Sequence, residues 1–272
     1  MVPRMTTLKE TTVDTASSIE AKMARMFGAH ERILVLPVDH GMALGNVSGL
    51  DDPVGLVLDF LKVEGVNGVL CSLPVGRRLS RAGMAEDRFR LVTLDSALGG
   101  GDGSIWQVRV TRAADAAEEN CDAVKVLMAW EDDLASRARI LALVAHALDE
   151  GHDAGLPVIV EPLASGPLQG VALAEVERRE LEGARIAVEA GADIIKMKAW
   201  ASDAGRRFVS TCPVPVVALG GQLSGQSGDV VDTIKMALDI GMRGIFVGRN
   251  IWQRPRTEAL TLMEKVSKVV HG

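Results

Sequence analysis

The chain reads as an α/β protein of the closed (β/α)8 kind, a TIM barrel with a parallel sheet and an N-terminal capping helix. Three observations predict this. Eight short apolar segments alternate with amphipathic, helix-like ones, a pattern that gives a parallel sheet covered by helices. The length of 272 residues matches a barrel, typically about 250 residues. Ionisable residues interrupt several apolar segments at or near their C-terminal ends, the end where barrels collect their chemistry. An open doubly wound sheet is the alternative. It usually carries a dinucleotide fingerprint after its first strand, and Asp39-His40-Gly41-Met42-Ala43-Leu44-Gly45 is not one.

The elements follow in order. Ser17 to Phe27 spaces Ile19, Met23 and Met26 along one helical face, and is placed to plug the bottom of the barrel. Ile33 to Val38 is the first strand, closed by Asp39-His40-Gly41. Asp52 to Glu64 is a helix with Pro53 in its first turn, where proline is tolerated. Gly68 to Leu73 is the second strand, and Pro74 to Arg88 reads as a long loop rich in arginine and glycine. Phe89 to Leu94 is the third strand, followed by a flexible turn at Gly99 to Gly103 and a short strand or hairpin arm at Val108 to Val110. Arg112 to Glu119 is a helix and Ala123 to Met128 the fourth strand. Asp133 to Glu150 has Leu134, Ala138, Leu141, Ala145 and Leu148 at helical spacing. Pro157 to Val160 is the fifth strand, ending at Glu161-Pro162, and Leu173 to Glu189 a helix. The sixth strand carries Lys196, and Asp203 to Val209 is a short helix. Val214 to Ala218 is the seventh strand, Asp229 to Leu238 a helix, Gly244 to Val247 the eighth strand and Thr257 to Val270 the last helix. Residues 1–272 read as one barrel domain, with 1–30 as an N-terminal arm and helix.

Composition narrows the function. The hydrophobic share of 47% supports a sizeable core. The net charge of -6 and scattered basic residues give no nucleic-acid footprint. No segment reaches the roughly 18 apolar residues of a membrane span. Met1 to Ala16 is polar, with no signal-peptide character. The three cysteines show no CxxC spacing, which suits a reduced, cytoplasmic chain. The histidines show no metal-ligand spacing, so no metal or cofactor is expected. The chain contains no tyrosine, which excludes any mechanism that uses a tyrosine acid.

The stretch Ala192 to Lys198 organises the functional reading. Alternate residues of a strand share a face, so Ile194, Lys196 and Lys198 point one way and Ile195 and Met197 the other. Burial in apolar surroundings lowers a lysine's pKa, and a neutral amine attacks carbonyls to form a Schiff base. A strand-end lysine that snorkels to solvent or pairs with a carboxylate is the alternative. Asp39, Lys125 and Glu161 also sit where strands should be apolar, and closure of a barrel brings inward side chains together. A second constellation, Gly220-Gly221 and Gly248-Arg249-Asn250, falls after strands seven and eight, a common barrel phosphate site. Glycine admits the phosphate to free backbone amides and Arg249 can add a bidentate contact. His40 reads as a supporting hydrogen-bonding residue. Arg77, Arg78 and Arg81 are placed either to meet a second anion or to form a solvated face.

These residues also carry a resemblance. Leu36-Pro37-Val38-Asp39-His40-Gly41, Gly191-Ala192-Asp193-Ile194-Ile195-Lys196, Cys212 to Val217 with Gly220-Gly221, and Val247 to Gln253 resemble archaeal-type class I fructose-bisphosphate aldolases and aminodideoxyheptulosonate synthases. The middle, Asp122 to Leu127 and Glu161, resembles tagatose-bisphosphate and sulfofructose-phosphate aldolases of the wider DeoC/LacD superfamily. The resemblance implies a metal-independent Schiff-base aldolase with Lys196 as nucleophile, Glu161 as general acid/base and Asp39 and Lys125 as helpers. Gly220, Gly221, Gly248, Arg249, His40 and Lys198 are the implied substrate or phosphate contacts. The implied partner is a phosphorylated sugar, and a homo-oligomer is expected. The archaeal-type tyrosine donor is replaced here by Val160-Glu161-Pro162. Two other readings stand beside this one: acyl or ketol transfer on a phosphorylated ketone, as in quorum-signal thiolases, and a non-catalytic phosphosugar-binding regulator.

Overall fold

A computed structural model describes residues 15–28, 32–99, 105–221 and 227–272. The strands are β1 Ile33–Pro37, β2 Gly68–Cys71, β3 Phe89–Thr93, β4 Asp95–Gly99, β5 Ile105–Arg109, β6 Ala123–Trp130, β7 Val158–Ala164, β8 Ile194–Met197, β9 Val216–Leu219 and β10 Gly244–Phe246. Eight of them close into a barrel in the order β1-β10-β9-β8-β7-β6-β3-β2, and β4-β5 form a separate two-stranded sheet. Every barrel pairing is parallel, as connections through helices require.

The pleat sorts the side chains. Leu34, Leu36, Val124, Val126, Val158, Val160, Ile195 and Met197 belong to the core between barrel and helices. Ile33, Val35, Leu70, Phe89, Leu91, Ala123, Ile159, Ile194, Val217 and Phe246 fill the barrel interior. Met26 and Phe27 from the helix Thr15–Phe27 join that interior cluster, so the N-terminal helix does plug the bottom. The core stabilises the fold at roughly 25 cal/mol per Å² of apolar area buried.

Two segments differ from the sequence reading. The segment expected to be a loop over Pro74 to Arg88 contains the helix Leu73–Arg81. Ser72 precedes it, Pro74 lies in its first turn, and Leu73, Gly76 and Leu79 are buried. Gly76 takes an inward position that a larger residue usually marks, with Cys71 and Arg90 against it. The hairpin arm expected at Val108 to Val110 is the longer pair β4-β5, antiparallel with Asp95 opposite Arg109. The N-terminal arm up to Asp14 and most of the expected glycine turn, 100–103, lie outside the described residues. Among the described residues no helix is long and apolar enough to cross a membrane.

The plug gives a direct test. Phe27→Ala removes a ring buried in the barrel interior and should cost about 3 kcal/mol of stability in denaturant unfolding. A loss below about 1 kcal/mol would show that the helix does not close the barrel.

Candidate active site

Three neighbouring strands switch from apolar to charged within one pleat. Ala123, Ile159 and Ile194 face the interior at the lower level, and two residues further on stand Lys125, Glu161 and Lys196. β6, β7 and β8 are adjacent in the barrel, so the three charges form one row. Lys196 Nζ donates to Glu161 Oε1 at 2.6 Å. Lys125 Nζ lies 3.3 Å from Glu161 Oε2 and 3.5 Å from Asp39 Oδ2. Asp39 comes from the end of β1, across the barrel. The four residues that the sequence singled out are thus brought together, with both lysines buried at 6 and 7% exposure.

Acidic residues below the strands set this register. Asp193 accepts hydrogen bonds from Val158 N at 2.7 Å and His152 Nε2 at 2.9 Å, tying the base of β8 to β7. Asp122 accepts from Arg90 N at 2.8 Å, tying β6 to β3. Each acid precedes its lysine by three residues, so a clamp at the bottom fixes a charge at the top.

The sequence allowed two surroundings for Lys196, an apolar pocket and a carboxylate partner, and the structure combines both. One side meets the Phe246 ring, with Nζ 5.6 Å from its centroid, and the other side meets a carboxylate. Burial opposes the charge on Glu161, and the two flanking lysines overcome it, holding its pKa at about 2. Burial likewise opposes the charge on Lys125, yet Glu161, Asp39 and Asp95 together raise its pKa. His40 is kept below its ordinary pKa mainly by burial. Its Nδ1 is 3.7 Å from Asp39 Oδ1, too long for the expected hydrogen bond. The ring instead meets Trp252 edge-on at 5.5 Å, and Trp252 Nε1 donates to Pro37 O at 3.1 Å.

Asp95 and Gln107 escaped the sequence reading. β3 pairs with β6 only as far as Lys125, leaving the next backbone groups of β6 without a strand partner. Side chains take over. Both carboxylate oxygens of Asp95 accept from Leu127 N at 3.2 Å. Gln107 Nε2 donates to Leu127 O at 2.5 Å and to Asp95 Oδ2 at 2.8 Å, and its Oε1 accepts from Ala129 N at 3.1 Å. The amide of Gln107 thus imitates a missing peptide bond. The available signal was an acid directly after an apolar run, the same signal that marked Asp39.

The second constellation also assembles. Asn250 Nδ2 donates to Gly220 O at 2.6 Å, joining the turns after β9 and β10. A Cβ on Gly220 would stand 2.8 Å from Val247 Cα, and Gly221 has φ +68°, so both positions demand glycine. Gly248 opens the short helix Arg249–Trp252. Arg249 Nε is buried with no hydrogen-bond partner among the described residues, a donor held out of water as an anion site requires. Lys198 is exposed, its ammonium 4.2 Å over the Trp200 ring rather than in the quartet. Among the described residues no group of His, Cys, Asp and Glu is arranged to hold a metal.

A closed barrel with a lysine–carboxylate row in its mouth and a glycine-and-arginine cradle beside it defines a carbonyl-processing barrel enzyme. The chain belongs to the DeoC/LacD family of aldolases, whose family profile matches residues 33–254. It is 28% identical over 255 residues to the 2-amino-3,7-dideoxy-D-threo-hept-6-ulosonate synthase of Halobacterium salinarum, covering 92% of this chain and 91% of that one. It is 27% identical over 260 residues to the 3-hydroxy-5-phosphonooxypentane-2,4-dione thiolase of an Enterobacter species, covering 93% and 81%. The fold matches an archaeal fructose-1,6-bisphosphate aldolase solved with its catalytic lysine bound to a carbinolamine, with a TM-score of 0.77, 22% identity and coverage of 93% and 99%.

Two outcomes follow from this geometry. Gln107→Leu strips partners from Asp95, Leu127 and Ala129, and should lower stability by about 2–4 kcal/mol in urea unfolding; an unchanged midpoint would dissolve the clamp. Glu161 has a folded pKa of about 2 against an ordinary 4.5. Its contribution is therefore complete above the ordinary carboxylate range and is lost as pH falls from there toward 2. Wild-type stability should fall more steeply across that window than stability of Glu161→Gln. Equal slopes would show that Glu161 is not held ionised.

Proposed function

We propose that the protein is a lysine-dependent, metal-independent aldolase acting on a ketose 1-phosphate, with dihydroxyacetone phosphate as the donor. The observation that carries this reading is the buried Lys196 in contact with Glu161, whose second oxygen meets Lys125. Lys196 passes a proton to Glu161 and adds as the free amine to the ketone. The proton returns to the carbonyl-derived oxygen, which leaves as water, and the resulting iminium is the electron sink for making or breaking the C–C bond. Arg249, with the amides around Gly221 and Gly248, holds the phosphate.

Glu161 supplies the proton traffic. At rest two ammonium groups flank it and keep it a weak base. When the iminium passes to the neutral enamine, one flanking cation disappears and the carboxylate grows more basic. In that same step it takes the proton from the donor carbon, whose loss is what forms the enamine, and it later delivers the proton to the aldehyde oxygen as the new bond forms. Lys125 stays cationic beside it and orients substrate oxygens, and Asp39 fixes Lys125 from across the mouth.

Borohydride reduction after incubation with dihydroxyacetone phosphate should label Lys196, identified by peptide mass. Lys196→Met should fold, take no label and lose at least about 10³-fold in turnover. Full turnover by that variant would sink the nucleophile assignment. Turnover that needs coenzyme A would favour the transferase reading, since one relative is a thiolase.

A further inference from the structure

The donor end of the mouth has its cation in Arg249. The other end is different. Arg77, Arg78 and Arg81, the candidates for a second anion, lie on the helix Leu73–Arg81. That helix runs away from the mouth. Arg77 Nε pairs with Glu119 Oε1 at 2.7 Å, and Glu119 stands just before β6 begins, at the barrel's bottom. Ser80 there lines a cavity with Arg25, Asn120 and Asp122. Pairing with Glu119 draws Arg77 to the end of the barrel opposite Lys196, and Arg78 and Arg81 lie in the last turn of the same helix.

At the mouth, between the ends of β1 and β2, lies a cavity of about 220 Å³. Asp39 forms part of its wall, together with Met42, Asn46, Val47, Ser72 and Val75. It lies on the far side of β1 from β9 and β10, the strands that lead into the phosphate cradle. No lysine or arginine lines it among the described residues. The loop after β6 is acidic, with Glu131 and Asp132, and the arginines near it, Arg137, Arg178 and Arg179, are already paired with Asp132, Glu175 or Glu182. Lys198 sits at the end of β8, on Trp200, across the barrel from this cavity.

We propose that the carbonyl acceptor is a short, unphosphorylated aldehyde bound in the cavity beside Asp39, so that the ketose made or cleaved carries a single phosphate. The proposal rests on the aldolase reading above. The cavity has room for about seven waters at about 30 Å³ each, ample for a hydroxyaldehyde of three or four carbons. Ser72 and Asn46 can meet its hydroxyls, and Met42, Val47 and Val75 its carbon chain. A phosphate dianion there would face the Asp39 carboxylate with no lysine or arginine in the cavity wall among the described residues. The bond formed joins the enamine carbon to the aldehyde carbon. The aldehyde oxygen gains the proton held by Glu161, and water releases Lys196 from the iminium, so no redox partner is needed.

The test pairs dihydroxyacetone phosphate with glyceraldehyde or glyceraldehyde 3-phosphate, and in reverse compares cleavage of fructose 1-phosphate and fructose 1,6-bisphosphate. We expect kcat/KM to favour the unphosphorylated partner and the monophosphate by about ten-fold or more. Asn46→Lys, which adds a cation to the cavity wall, should raise kcat/KM for the phosphorylated partner several-fold. A labelled Lys196 with preference for the phosphorylated partner, or with turnover of neither, overturns the acceptor proposal alone. No gain with Asn46→Lys removes this cavity from the acceptor's path. A Lys196 that dihydroxyacetone phosphate never labels overturns the aldolase reading as well.

Discussion

Lys196, Lys125, Glu161 and Asp39 share the buried mouth of the barrel, and none of them is stable there alone. Lys196, Glu161, Lys125 and Asp39 form a chain of contacts from 2.6 to 3.5 Å. Removing a single charge from water into a protein interior costs several kcal/mol, so the chain persists only because each member faces an opposite sign. Buried pairs of this kind add little net stability compared with an apolar core. Their presence on three adjacent strands and a fourth across the barrel therefore points to chemistry. The rest of the molecule serves to deliver four side chains to one place.

The delivery is mostly a matter of the pleat. Two residues separate the last interior apolar side chain from the charge on each of β6, β7 and β8, so the barrel changes from a packed apolar plug to an ionic layer in one step. Asp122 and Asp193 fix the lower ends of β6 and β8. At the upper end β6 outruns β3, and Asp95 with Gln107 completes its ladder. That arrangement does two things at once. It satisfies backbone groups that burial would otherwise strand, and it sets a third carboxylate near Lys125, which reinforces the charge on that lysine.

Much of this could be read from the chain because the signals are short-range. A charged residue inside an apolar run is visible without a structure, and Asp39, Lys125, Glu161 and Lys196 were found in that way. The alternation of strand and helix and the turns at Gly221 and Gly248 are local as well. What failed was less local. The helix Leu73–Arg81 hid behind Pro74 and Gly76: proline suits a first helical turn, and glycine removed one anchor from the apolar period. Gln107 lies in a hairpin whose partner strand had not been recognised, and its role depends on where β3 stops. A carboxylate partner for Lys196 was within the sequence reading, and the pairing of β7 with β8 makes it Glu161.

Under the proposed function, the ionic chain also accounts for one carboxylate serving two steps. Glu161 is weakly basic while both lysines are charged, and its pKa of about 2 follows from them. In the proposed reaction, covalent chemistry at Lys196 changes the number of cations beside Glu161, so the same side chain gains basicity as it takes a proton and regains acidity as it gives one. Lys125 keeps the carboxylate in place throughout, because its own raised pKa rests on Glu161, Asp39 and Asp95 rather than on Lys196. A single lysine could not do this. If Lys125 were neutral, loss of the charge on Lys196 would leave a buried carboxylate with no cation, and its proton would be held too tightly to pass on. The second lysine is thus what makes Glu161 tunable by the first.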